Sequence, residues 1–225
     1  MKEEMVFLKS ANQTTGSYHY NSICLSAKYS ESKYNIFFNF ILAHKDIEDR
    51  IFYTNNLIKG FWTQWHHITE TLNMESAPIN SGKFINAEYN LIFHFYTGRD
   101  IVQNLKRIAD ECVILYCIAL QKFRKDNTPL EDIGDYINKS DSFKDLDTDI
   151  EFLKNLNKLS NACKHSLIPI NDKIGKDEPC IYAYETKRDK TGEFLYLLND
   201  FGFSLNYLVG AFNVFYTNFL KLLRQ

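Results

Sequence analysis

Hydrophobic positions recur at steps of three and four along most of the chain, which is the period of an amphipathic helix. The pattern predicts helical stretches over residues 32–51 and 52–72. It predicts a further helix over 84–96 and a longer one over 100–123. Between the last two, the Thr-Gly-Arg-Asp sequence at 97–100 is typical of a break.

The second half of the chain carries clearer end signals. A short helix is predicted over residues 130–137. Thr148-Asp149-Ile150-Glu151 fits a capping box, in which the Thr and Glu side chains satisfy free amides of the first helical turn. The helix that starts there is expected to end between His165 and Leu167, because Pro169 cannot continue it.

Two runs rich in Tyr, Ile, Phe and Leu follow at 180–185 and 193–198, joined by a charged turn, and they predict a β-hairpin over about 180–198. A last helix is predicted over 201–223. The fold class is therefore mainly α, a helical bundle with one β-hairpin before the C-terminal helix. Residues 32–225 are assigned to a single helical domain, and residues 1–31 to an N-terminal arm that is either irregular or a short hairpin.

Composition adds limits to this picture. The 225 residues are 45% hydrophobic and 24% charged, which is typical of a globular chain. The 18 Phe and 14 Tyr residues can build a core with few valines. The net charge of −2 gives no global sign of nucleic-acid binding, so any such contact must come from a local patch.

Several classes of protein are disfavoured by the sequence. The N-terminus has no apolar signal region, and asparagines interrupt the apolar run of 201–223, so a cytoplasmic protein without a membrane span is expected. The five cysteines form no CxxC pair, and no nucleotide-binding glycine motif is present. His66 and Glu70 lie one turn apart, but two ligands do not make a metal site. No metal and no cofactor are expected.

The helix predicted from residue 150 carries the candidate chemistry. On a helical wheel the leucines of this helix form an apolar arc. The opposite side carries a row of polar residues at successive steps of four, three and four residues. This row is here called the polar ridge and consists of Lys154, Lys158, Asn161 and His165. Lysines can hold phosphate oxygens, and histidine can exchange a proton with a ribose hydroxyl near neutral pH. The same row is also what any surface helix shows, and Lys164 and His165 suit the negative end of the helix dipole.

The six residues Ser160 to His165, Ser-Asn-Ala-Cys-Lys-His, resemble the signature of the HEPN superfamily (higher eukaryotes and prokaryotes nucleotide-binding domains). That signature is typically an Arg, often followed by Asn, with a His four to six residues after the Arg and a Lys commonly just before the His. The layout of residues 32–225 is similar to these helical bundles. The hairpin before the last helix is similar to the branch called Cthe-2314-like.

The resemblance implies a metal-independent endoribonuclease that forms a homodimer in which two motifs face each other. It implies His165 as the acid or base, Asn161 as the orienting residue and Lys158 as the phosphate-stabilising residue. Lys154 and Lys164 would contact RNA as substrate-binding residues. The resemblance also implies a toxin–antitoxin or defence context, with a cognate antitoxin or defence protein as partner.

One position departs from the signature. Ser160 stands where the shorter spacing expects Arg, and Lys158 stands where the longer spacing would place it. Lys lacks the planar fork with which Arg grips a phosphate in two places. An arginine from elsewhere, such as Arg99 or Arg107, is a candidate to fill the gap. Two alternatives therefore stay open: a catalytically inactive interaction module of the same fold, and an unrelated helical protein whose ridge is only solvated surface.

Overall fold

The computed structural model describes residues 5–10, 36–72, 81–119, 130–139, 150–165, 177–188, 191 and 194–223. Within these residues the chain forms five helices and one two-stranded antiparallel hairpin, which confirms a mainly α fold with a hairpin before the last helix. The elements are, in order, α1 Ile36–Leu72, α2 Ser81–Ala119, α3 Ile133–Lys139, α4 Ile150–His165, β1 Cys180–Arg188, β2 Phe194–Ser204 and α5 Leu205–Leu223.

The described residues pack as two compact units. Of the described residues, those within 5–7, 55–103 and 158–209 form the first unit, and those within 8–54, 104–157 and 210–223 form the second. Four of the helices, α1, α2, α4 and α5, contribute residues to both units.

In the first unit, the later part of α1 packs against α2 and against the hairpin. The rings of Phe61 on α1 and His94 on α2 are stacked, with centroids 3.8 Å apart and planes 7° from parallel. One turn further along α2, a Cβ added at Gly98 would lie 3.0 Å from the Phe61 ring and 3.4 Å from Ile181 of β1. Gly98 therefore allows α2 to approach both α1 and β1 closely.

The predicted break at 97–100 is wrong, because these residues lie inside the continuous helix α2. Glycine weakens a helix but does not end one when packing compensates. At Gly98 the close contact with Phe61 supplies that packing. The stretches predicted at 32–51 and 52–72 are likewise one helix over the described residues, α1.

The second unit has an aromatic core centred on α5. The Phe152 ring of α4 lies 6.5 Å from the Phe212 ring and 6.2 Å from the Phe215 ring, between centroids. Helix α2 is buried on more than one side. The apolar positions spaced three and four apart are buried at Ile101, Leu105, Ile108, Cys112 and Leu115. Residues on other sides of the helix are buried as well, namely Val102, Lys106, Ala109, Val113, Tyr116 and Cys117. A helix covered on several sides cannot be recognised from one apolar stripe.

A buried ion pair holds α3 in the second unit. The ammonium group of Lys106 lies 2.9 and 3.0 Å from the two carboxylate oxygens of Asp110, and the backbone N–H of Ile133 donates to Asp110 at 2.9 Å. Asp132 caps α3 by accepting a hydrogen bond from the Asp135 N–H at 2.8 Å. Lys106 is buried, and Asp110 satisfies its charge.

The boundary between the hairpin and α5 lies later than predicted. β1 and β2 pair from Cys180 opposite Ser204 to Arg188 opposite Phe194, so β2 includes residues 201–204, which the sequence assigned to the helix. Ser204 then caps α5, because its hydroxyl oxygen accepts a hydrogen bond from the Tyr207 N–H at 3.1 Å.

Asparagines of α5 receive the N-terminal segment. In the first unit the Val6 N–H donates to the Asn206 side-chain oxygen at 3.3 Å, and in the second unit the Lys9 N–H donates to that of Asn213 at 2.8 Å. The arm predicted for 1–31 is described only at residues 5–10, where Leu8 is buried. Two of the asparagines that interrupt the apolar run of α5, Asn206 and Asn213, thus bind backbone.

Candidate functional site on helix α4

The two predicted faces of α4 are present in the structure. All four members of the polar ridge are exposed, as is Lys164: Lys154, Lys158, Asn161, Lys164 and His165. The opposite arc is buried at Leu153, Leu156, Leu159 and Cys163, while Leu167 lies outside the described residues. The spacing of hydrophobic residues in the sequence therefore predicted both faces of α4 correctly over its described length.

Ser160, at the position where the signature expects Arg, is fully buried, with 0% of its surface exposed. Its side chain and backbone both bond to Gln103 of α2. The Gln103 amide donates to the Ser160 carbonyl oxygen at 3.1 Å, and the Ser160 hydroxyl donates to the Gln103 amide oxygen at 3.2 Å. This position therefore holds α4 against α2 and presents nothing to a ligand.

The sequence carried a signal for this burial. On the helical wheel, Ser160 falls within the apolar arc rather than on the polar ridge. Gln103 gives no comparable signal, because only the tertiary structure places it opposite Ser160.

Arg99 of α2 is a cation close to α4. It lies one helical turn before Gln103, whose side chain bonds to Ser160. Burial raises the pKa of Cys163 on α4 to about 11, and the positive charge of Arg99 opposes that increase. Cys163 belongs to the buried arc of α4 and not to the polar ridge.

Arg107 does not fill the same role. It lies in the second unit, where its guanidinium group is 2.6 Å from the carboxylate of Glu111. That hydrogen bond and the charge of Glu111 raise the pKa of Arg107. Of the two arginines considered, only Arg99 is shown close to α4.

The last turn of α4 concentrates the candidate groups. His165 is the final residue of the helix, and Asn161 lies one turn before it on the same exposed face. Lys164 and His165 lie in the last turn, at the negative end of the helix dipole. Lys158 already takes part in an interaction within the chain, so a ligand would have to compete with that interaction or share it.

A second feature of the first unit is a small cavity of about 20 Å³, large enough for one water molecule. Its polar lining comes from His94, Cys180 and Tyr182. Burial lowers the pKa of His94 to about 4, while nearby backbone of Phe61 opposes this decrease. Burial also raises the pKa of Cys180, so the cavity holds a neutral imidazole and a neutral thiol near pH 7 rather than an activated nucleophile.

A third polar cluster is buried in the second unit. The Tyr216 hydroxyl donates to the Glu48 carboxylate at 2.6 Å and lies 3.4 Å from Nε2 of His44. Burial lowers the pKa of His44 to about 4. These contacts connect α1 to α5 within the unit and give the buried Tyr216 hydroxyl its hydrogen-bond partner.

The aromatic residues Phe61, Trp62 and Trp65 of α1 belong to the core. Trp62 and Trp65 are buried, and the ring of His66 packs 4.9 Å from that of Trp65, between centroids. No group of three or more potential metal-binding side chains occurs among the residues that the structure describes. Over the same residues, no helix is both long and apolar enough to cross a membrane.

Searches of protein-family models, of curated protein sequences and of solved structures return no match for this chain. The chemistry of α4 and of the α2 residues close to it is therefore what indicates a function.

Proposed function

We propose that this protein is a HEPN-like RNA-binding protein that contacts RNA through the exposed face of α4. The observation that supports this most is the exposed polar row on the later turns of α4, which presents Lys158, Asn161, Lys164 and His165. Arg99 of α2 adds a cation close to the same helix, one turn from the Gln103 that bonds to Ser160. Phosphate contacts by such residues supply the sequence-independent part of RNA affinity.

The same residues support metal-independent cleavage of RNA. In that reaction the ribose 2′-oxygen attacks the adjacent phosphorus and the bond to the 5′-oxygen breaks. His165 either accepts the 2′-hydroxyl proton or supplies a proton to the leaving oxygen, and Asn161 orients one of these groups. Lys158 and Arg99 stabilise the charge that develops on the phosphate. We propose a homodimer, in which a second His165 performs the complementary proton transfer.

A catalytically inactive interaction module is the second candidate. The buried Ser160 favours it, because the expected arginine is missing and its position faces the interior. Loss of one such clamp on a developing charge costs about two to three orders of magnitude in rate. In both cases we propose a defence or toxin–antitoxin context, in which a cognate protein would cover the ridge.

A cleavage assay separates the two candidates. Mixed single-stranded and transfer RNA is incubated with the protein in EDTA, and the parent is compared with His165→Ala. His67→Ala is the matched control, because His67 is an exposed histidine on α1, outside the ridge. Cleavage by the parent and by His67→Ala but not by His165→Ala supports the ribonuclease. RNA binding without cleavage supports the inactive module, and the absence of both rejects the RNA proposal.

A further inference from the structure

The first half of α2 has one covered face and one open face. On the covered face, His94 and Gly98 pack against Phe61 of α1. On the other face, four large side chains remain exposed at helical spacing and are here called the aromatic stripe: Tyr89 (62% exposed), Ile92 (42%), Phe93 (45%) and Tyr96 (54%). A contiguous row of exposed apolar side chains on a protein surface is often a binding site.

A cation stands at the end of the aromatic stripe that is nearer to α4. The rings of Tyr89 and Phe93 are 4.6 Å apart between centroids and are tilted by 55°. At the other end, the guanidinium carbon of Arg99 lies 6.0 Å from the ring centroid of Tyr96, within cation–π range. Arg99 lies one turn before Gln103, whose side chain bonds to Ser160 of α4. The stripe therefore ends in a cation close to α4.

We infer that the aromatic stripe stacks unpaired bases of an RNA strand and that Arg99, at the end of the stripe, holds a phosphate of the same strand. This inference rests on the proposed RNA-binding function and names its substrate class, which is single-stranded RNA or an unpaired loop. Stacking on aromatic rings needs free base faces, and a duplex hides those faces in its own stack.

The dimensions of the stripe fit a few nucleotides. From residue 89 to residue 96 the helix rises by about 10 Å. Stacked bases are separated by about 3.4 Å, so this length corresponds to about three nucleotides. Phosphates of the same strand would then reach Arg99 at the end of the stripe.

A second copy of the chain fits the stripe less well. An aromatic side chain offers about 200 Å² in total, so four half-exposed side chains offer on the order of 400 Å². A stable protein interface buries about 800 Å² on each partner. The neighbouring charge also suits a polyanion, since the guanidinium group of Arg99 stands at the end of the stripe. Asp100, the acid next to Arg99, already interacts within the chain.

Fluorescence anisotropy tests the inference with a labelled oligouridine of about 12 nucleotides, within the site sizes typical of single-strand binders. A blunt RNA duplex of the same length is the comparison ligand. We expect Phe93→Ala and Tyr96→Ala each to weaken binding of the single strand about fivefold or more. Duplex binding should stay unchanged, and Tyr96→Trp should retain single-strand binding. Phe52→Ala is the matched control, because Phe52 is an exposed aromatic residue of α1 in the second unit.

Other outcomes overturn the inference in distinguishable ways. If the stripe variants bind the single strand like the parent while Lys164→Ala weakens both ligands, the stripe is not used, and the proposed RNA-binding function stands. If the parent binds neither ligand, the proposed function fails and the inference fails with it. If Phe93→Ala lowers the molar mass in light scattering, the stripe is a surface between copies of the chain.

Discussion

Ser160 on α4 and Gln103 on α2 exchange two hydrogen bonds, at 3.1 and 3.2 Å, and the serine is completely buried. Ser160 is thus a packing residue. A buried hydroxyl and amide that satisfy each other stabilise one register of two helices, because any slip leaves both groups without partners.

Introducing an arginine at this position is expected to damage the protein. Ser160→Arg would place a guanidinium group in a buried site where Gln103 offers only one acceptor oxygen. We expect the free energy of unfolding to fall by about 3–5 kcal/mol, as for an uncompensated buried charge. Urea denaturation measures this change. Asn161→Arg, next to it on the exposed face, is the control and should change stability by less than about 0.5 kcal/mol. Equal stability of the two variants would contradict the buried role of Ser160.

Arg99 is expected to contact one phosphate of bound RNA. For Arg99→Ala, the slope of log affinity against log salt concentration should become shallower by about 0.7, the value for one phosphate contact on a single strand. Arg99→Lys should keep the slope because it keeps the charge. Arg107→Ala is the control, since Arg107 pairs with Glu111 in the other unit. An unchanged slope for Arg99→Ala would remove Arg99 from the RNA surface.

The stability of the protein should fall on acidification. Burial lowers the pKa of both His44 and His94 from 6.5 to about 4. Between these values the unfolded chain binds more protons than the folded chain, so the free energy of unfolding decreases as the pH falls from about 6.5 to about 4. The loss is about 2 kcal/mol per histidine at pH 5.

Denaturant unfolding at several pH values checks this expectation for His94. His94→Phe should reduce the loss of stability between pH 7 and pH 5, whatever its effect on stability at pH 7. His67→Gln, a change at an exposed histidine of α1, should leave the pH dependence as in the parent. If His94→Phe and the parent lose the same amount, His94 does not stay neutral in the folded protein.

Two glycines inside helices should respond to alanine in opposite directions. A Cβ at Gly60 on α1 would meet nothing within 4 Å, so Gly60→Ala should stabilise the protein by about 0.5–1 kcal/mol through helix propensity. A Cβ at Gly98 would lie 3.0 Å from the buried Phe61 ring, so Gly98→Ala should destabilise it by about 1–2 kcal/mol. Thermal or urea unfolding of the two variants provides the comparison. Stabilisation by Gly98→Ala would show that Phe61 can move aside.

Local patterns in the sequence determined the class of the fold and the exposed face of α4. The period of three and four separated the buried leucines of α4 from Lys158, Asn161 and His165, because a helix turns by a constant angle per residue. Alternation and turn residues located the hairpin, since strand neighbours close in sequence pair locally. These features depend on nearby residues alone.

Contacts between distant residues decided the rest. The Gly98 region is helical because Phe61 and Ile181 pack against it, and α5 begins at Leu205 because Ser204 both pairs with Cys180 and caps the helix. Lys106 is buried because Asp110 neutralises it. The sequence by itself determined which residues α4 exposes. Only the tertiary structure decided that Ser160 is held by Gln103 and that Arg99 lies close to that helix, because both depend on how α2 and α4 pack.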